Sequence, residues 1–222
     1  MSNIKFFLMN NKLYQLRNKW SLNMFKWLRE KFLTIFGRIK ISKYPMWFSY
    51  SPTTFLAKGR QFREAVEVLQ PGYVIGRGYT DYLDGYFIPG QYSHTGICVK
   101  NSEWEQSMIH AMSVGVFQQD LVDFLRCDRF IIFKPRKDLK KAVRIAKSLV
   151  GRPYDFDFKT NNKAYYCHEL TAYCFPNLKI EQMNVMFGKK AYTIDSFINS
   201  PDFEVVYEFD PRKEKFGCIR NC

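Results

Sequence analysis

The chain has 222 residues, 46% of them hydrophobic and 18% aromatic. That is enough for one ordinary domain plus an appendage, and too apolar for a disordered chain. Its formal charge of +13 is lopsided: residues 1–60 hold twelve Lys and Arg against the single acid Glu30, which leaves the rest of the chain at +2.

In chain order, the first expected element is a helix over residues 13–40. From Met24 to Lys40, the residues Phe25, Leu28, Phe32, Ile35, Phe36 and Ile39 recur at three- and four-residue steps, with Lys26, Arg29, Lys31, Arg38 and Lys40 largely off that stripe. Bulky aromatics opposite basic residues fit an anionic membrane surface, and equally a helix that packs its apolar face on the body. Charge alone does not make a nucleic-acid site, and no specific nucleic-acid recognition is expected. The apolar run Phe6 to Met9 is too short for a signal peptide. No stretch reaches the roughly 18 apolar residues of a spanning helix. The expected compartment is cytoplasmic, with peripheral membrane attachment as an option.

Residues 41–60, with Pro45, Pro52 and Gly59, read as a connector, so the expected organisation is an extension over 1–60, a domain over 61–210 and a tail over 211–222. A short helix is expected from Arg60 to Val68, and Gln70-Pro71-Gly72 then turns into a strand at Tyr73 to Ile75. Residues 76–91, rich in Gly, Tyr and Asp, form a long loop. Strands follow at 94–100, 106–112, 114–118 and 129–134, each rich in β-branched or aromatic residues. A helix over 138–150 opens with Asp138 as N-cap and stops at Gly151. Another starts near Cys167 and ends before Pro176, and a last strand covers 203–209.

Six cysteines (98, 127, 167, 174, 218 and 222) lack the close spacing of a disulfide scaffold. They read as mostly reduced, with Cys98, Cys127 and Cys174 as small core residues. Cys167 differs because it opens a helix, where orphan amides and the positive dipole end favour a thiolate. The chain has three histidines, and two of them, His94 and His110, lie on neighbouring strands. A thiol near neutral pH needs an imidazole to take its proton, and that imidazole needs an orienting partner. Cys167 as nucleophile, His94 as base and His110 as orienter fill those roles. Taken singly, each histidine also fits an ordinary core position. A metal site built from His94, His110, Cys167 and Cys98 lacks the paired spacings of zinc ligands. His168 and Glu169 point away from Cys167 around the helix, and Glu169 reads as an N-terminal helix charge or a supporting partner.

Five motifs in order resemble a known family: Pro71-Gly72, Ser93-His94-Thr95-Gly96-Ile97, Ile109-His110-Ala111 with Gly115-Val116, Gly151-Arg152-Pro153-Tyr154-Asp155, and Tyr166-Cys167-His168-Glu169-Leu170. Together with Ser200-Pro201-Asp202-Phe203 to Val206, they are similar to the circularly permuted NlpC-type papain-like cysteine hydrolases, YiiX/YebB-like branch, over about residues 66–208. The resemblance implies an α+β permuted papain-like fold, a small antiparallel sheet or barrel packed on helices, here with an N-terminal helical extension. Carried over by position, it implies Cys167, His94 and His110 as the site. That third position is often Glu in this branch. The family's early Gly-Asp is Gly72-Tyr73 here, and His168 stands where a small residue usually follows the cysteine.

The expected activity is a thiol hydrolase that cleaves a peptide or isopeptide amide, with no cofactor and no metal. The alternatives are a lipid acyl hydrolase or transferase, and a non-catalytic membrane- or partner-binding protein on the same fold. The expected partners are a peptide-like or acyl substrate and an anionic membrane surface met by residues 13–40.

Overall fold

The computed structural model describes residues 24–36, 39–41, 48–50, 55–80, 90–159, 163–185 and 189–213. The chain divides into two compact units, Met1–Gly37 and Arg38–Cys222. In the first, residues 24–36 form helix α1. Residues 13–23 of the expected helix lie outside the described residues. The expected helix does not reach Lys40: Ile39–Ile41 is instead strand β1, paired antiparallel with β2, Phe48–Tyr50. Ile39 and Ile41 alternate with Lys40, a strand pattern that outweighs the tail of the helical stripe.

The second unit is built on a six-stranded antiparallel sheet. Its strands are β3 (Val74–Gly78), β4 (His94–Asn101), β5 (Gln106–Met112), β6 (Gly115–Asp120), β7 (Arg129–Pro135) and β10 (Phe203–Phe209), in the order β10-β7-β3-β4-β5-β6. Each overlaps the expected strand, with ends displaced by at most three residues. β3 runs three residues into the expected 76–91 loop, of which 81–89 lie outside the described residues.

Helices cover both faces. α4 (Leu139–Ser148), α5 (Cys167–Tyr173) and α6 (Ile194–Ile198) lie on one side, where Ala142, Ala146, Leu170, Ala172, Ile194 and Phe197 pack with Val74, Ile97, Val99 and Ile109 of the sheet. α2 (Gly59–Val68) and α3 (Leu121–Phe124) lie on the other, where Ala65, Leu121 and Phe124 pack with Ile75, Cys98, Met108 and Ile132. Side chains alternate along a strand, so neighbours such as Ile97 and Cys98 enter different cores. This is the expected α+β architecture. A two-stranded ribbon, β8 (Met183–Asn184) with β9 (Lys190–Ala191), precedes α6. α3, α6 and this ribbon are too short for periodicity to announce them.

Cys98, Cys127 and Cys174 are buried free thiols, as expected. Asp138 does stand at the N-cap of α4, but in a left-handed conformation (φ 67°) and without a side-chain cap; its Oδ2 accepts from the Asn177 amide at 2.8 Å. Gly72, at φ +95°, turns the chain into β3 where an added Cβ would stand 2.6 Å from that of Leu139.

Candidate active site

Cys167 is the first residue of α5 and is buried, as the aromatic residue before it is; no side chain caps this helix at Tyr166. The helix therefore begins with free amides, and those of Cys167 and His168 turn toward the sulfur, joined by the Thr95 amide from β4. Burial pushes the thiol up to about 11, and these three amides together with the charge of Arg77 oppose the push. Sγ also approaches the Ser93 carbonyl at 3.9 Å and His168 Nδ1 at 3.4 Å.

The imidazole pair forms as the strand order predicts. His94 Nε2 lies 2.8 Å from His110 Nδ1, with the rings edge to face. The two residues are diagonal rather than opposite neighbours: His110 stands across from Gly96. Gly96 leaves that place empty for the His94 ring to cross, since a Cβ there would sit 2.8 Å from the Phe124 ring and 3.2 Å from the His110 Cβ. Phe124 and Phe117 wall the pair.

Both partners are held neutral. Burial, then the Arg77 charge, depresses His94 well below 6.5; the same two causes bring His110 down to about 3. Burial alone brings His168 to about 3. A hydrogen bond between two neutral imidazoles needs one donor. If His110 Nδ1 accepts, His94 carries its proton on Nε2 and offers the Nδ1 lone pair as a base.

The structure thus joins His94 to His110 and sets Cys167 against the backbone on either side of His94. It does not join Cys167 to His94 by a hydrogen bond. Thr95 and the thiol share the α5 side of β4, whereas the His94 and His110 rings lean on Phe124 from the other side. The imidazole that does contact the sulfur is that of His168. It escaped the sequence reading because rotation about an ideal helix carries consecutive residues about 100° apart; at a first turn, where backbone amides still face outward, that rule constrains less.

Arg77 escaped as well, and Glu169 stands in the helix's first turn, as expected. Arg77, on β3, is buried directly across from His94 in the register. Glu169, also buried, is raised to about 7 by burial and by Asp155. A lone Arg in a glycine-rich segment carries no sequence signal.

A family profile described as permuted papain-like amidase enzyme, YaeF/YiiX, C92 family, matches residues 68–207, more than half of the chain. Among solved structures, that of the metalloprotein yiiX from Escherichia coli O157:H7 is similar over 64% of this chain and 98% of its own. The TM-score is 0.54 and the identity 17%, a likeness of fold. No curated protein matches the sequence.

Proposed function

The chain belongs to the permuted papain-like amidases, and within that family of amide hydrolases we propose that Cys167 is the nucleophile, His94 its base and His110 the residue that orients the base. The observation that carries this reading is the 2.8 Å bond between His94 Nε2 and His110 Nδ1. With His110 Nδ1 as the acceptor, this bond holds the His94 proton on Nε2 and leaves Nδ1 of a half-buried, neutral imidazole as the proton acceptor.

In the proposed reaction the substrate carbonyl enters beside Sγ, and the thiol proton passes to His94 Nδ1 as the C–S bond forms. The amides of Cys167, His168 and Thr95, which already face the sulfur, stabilise negative charge there. His94 then returns the proton to the leaving amine, and water hydrolyses the thioester with His94 again as base. Here the His94 ring leans on Phe124 from the side of β4 opposite the thiol, so this reading requires the ring to turn toward Sγ when substrate binds. The substrate is a peptide or isopeptide amide; a lipid ester is the same chemistry on a different leaving group. The solved neighbour is described as a metalloprotein. Among the described residues of this chain, no group of three His, Cys, Asp or Glu side chains fits a metal ion, so every step above rests on the chain's own side chains.

The 3.4 Å contact between Cys167 Sγ and His168 Nδ1 favours a second reading, in which His168 takes the proton. Single variants separate the two. With a fluorogenic peptide amide, Cys167→Ser abolishes turnover, His94→Gln lowers kcat by about 10³-fold and His168→Gln by less than about tenfold. The reverse ranking of the two histidines makes His168 the base. Full activity of Cys167→Ser overturns both.

The extension is proposed to lie on an anionic membrane surface. The support is α1, on which Met24, Phe25, Trp27, Leu28, Phe32 and Ile35 are exposed in a stretch that also carries Lys26, Arg29 and Lys31. No helix among the described residues is long and apolar enough to cross a membrane. The full chain should sediment with phosphatidylserine vesicles in a salt-sensitive way, and Trp27→Glu with Phe32→Glu should release it. Equal sedimentation of wild type and double variant ends the proposal.

A further inference from the structure

Arg77 is a buried cation, 4% exposed, in the middle of a sheet. Its partners among the described residues are a carbonyl, a thioether and two aromatic rings. Nη1 donates to the Phe124 carbonyl at 2.7 Å, Nη2 approaches the Met112 sulfur at 3.7 Å, and the guanidinium lies 4.3 Å from the centre of the Phe124 ring and 5.8 Å from that of Tyr79. None is a carboxylate, and Nε has no partner. Asp128, which follows α3, has its two oxygens on the amides of Leu56 and Thr80 at 3.1 and 2.7 Å. Uncompensated buried charge is costly and usually carries a role.

The register supplies the role: Arg77 stands directly across from His94 on β4. Phe124, whose ring the guanidinium covers, is also the ring against which His94 and His110 lean. We propose that Arg77 is a positioning residue for the reaction, a fixed positive charge set beside the His94–His110 pair that keeps the pair free of protons and favours an anion at Cys167. This rests on the reading of Cys167 as nucleophile. The charge acts in the sense required: after burial it is the next cause that lowers His94 and His110, and it opposes the rise that burial imposes on Cys167 and Cys127. The titratable groups that face His94 are Arg77 from β3, His110 from β5, and His168 from α5 beside Cys167; α3 presents the Phe124 ring, and Phe117 of β6 lies against His110. Among them Arg77 is the one permanent charge. For a proton relay the consequence is twofold. His94 begins each cycle as a neutral acceptor, and once protonated it is a stronger acid toward the leaving amine.

Arg77 also holds the C-terminal carbonyl of α3, so lost activity alone would not separate its charge from its contacts. The test is the pH dependence of iodoacetamide alkylation at Cys167, followed by mass spectrometry in the full chain, for wild type, Arg77→Lys and Arg77→Met, each first checked for a native circular-dichroism spectrum. In Arg77→Met the midpoint should rise by about one pH unit, so that the rate at fixed pH below it falls about tenfold. Arg77→Lys, which keeps the charge and loses the fork, should stay within about threefold of wild type. A midpoint unchanged in Arg77→Met overturns the proposal, and so does an equal shift in both variants, which would assign the effect to contacts. If Arg77→Met does not fold, Arg77→Gln, which removes the charge and keeps an amide donor toward the Phe124 carbonyl, takes its place; the same rise of about one pH unit upholds the proposal and an unchanged midpoint overturns it. A wild-type Cys167 no more reactive than Cys98 would instead count against the nucleophile itself, a distinguishable failure.

Discussion

Thr95 and Thr171 share a buried hydrogen bond of 3.0 Å between their hydroxyls, and this bond ties the strand of His94 to the helix of Cys167. Thr171 donates in turn to the Cys167 carbonyl at 3.0 Å, so Thr95 is the donor in the pair. Thr171→Val therefore leaves one buried hydroxyl without an acceptor, at a cost of about 1–3 kcal/mol. Thr95→Val with Thr171→Val removes both partners and should recover part of that loss. Urea midpoints of the two singles and the double close the cycle. Strict additivity would mean that the pair does not couple the two elements.

Gly96 predicts a steric effect at the imidazole pair. In Gly96→Ala the new Cβ meets the Phe124 ring at 2.8 and 2.9 Å and the His110 Cβ at 3.2 Å. Overpacking of this kind costs roughly 1–3 kcal/mol, and it pushes apart the ring and the histidine that orient His94. Activity should fall more than stability, and Phe124→Leu in the same chain should restore part of both. A Gly96→Ala enzyme with wild-type kcat would remove the clash from the argument.

Acid stability follows from the neutral histidines. His110 and His168 stay unprotonated in the fold down to about 3, whereas in the unfolded chain each takes a proton at about 6.5. The unfolded state thus binds more protons between those values. Stability is complete above pH 6.5 and is lost as the pH falls toward 3, at about 1.4 kcal/mol per pH unit for each histidine. His168→Gln should flatten the slope of unfolding free energy against pH by one proton between pH 6 and 4. An unchanged slope would mean that His168 titrates in the native state as it does in the unfolded chain.

The four described thiols should also rank by reactivity. Burial raises Cys98 and Cys127 to about 12 and Cys174 further, while amides and Arg77 limit Cys167 to about 11. Alkylation at pH 9 should reach Cys167 first. Earlier labelling of Cys127, which also feels Arg77, would reverse the assignment of the activated thiol.

Much of this was legible in the sequence because the sheet strands carry strong patterns. Ile97 and Val99 alternate with Cys98 and Lys100, and both faces are claimed by helices, so β4 could not slide unnoticed. The order of His94, His110 and Cys167 placed two of the three side chains together through strand pairing alone. The remaining relation, of Cys167 to His94, depends on how a helix N-terminus meets a strand end, which no periodicity encodes. Arg77 was hidden for a related reason: its importance lies in a cross-strand register and in the absence of an acid, and neither is written locally. The end of the expected N-terminal helix was misplaced because Ile39 and Ile41 satisfy both a helical stripe and a strand alternation.

His94 and Thr95 are consecutive, yet one side chain serves the imidazole pair and the other the helix that carries the thiol. The distance between chemistry and scaffold is therefore a single peptide unit. A deletion or insertion of one residue at the start of β4 itself, between His94 and Gly96, would preserve an antiparallel ladder while turning His94 to the other face, since a one-residue slip reverses the facing of side chains. Length changes there should be far less tolerable than point substitutions. A library of indels scanned through residues 90–96 would read this as a sharp gap in surviving activity, flanked by permissive positions.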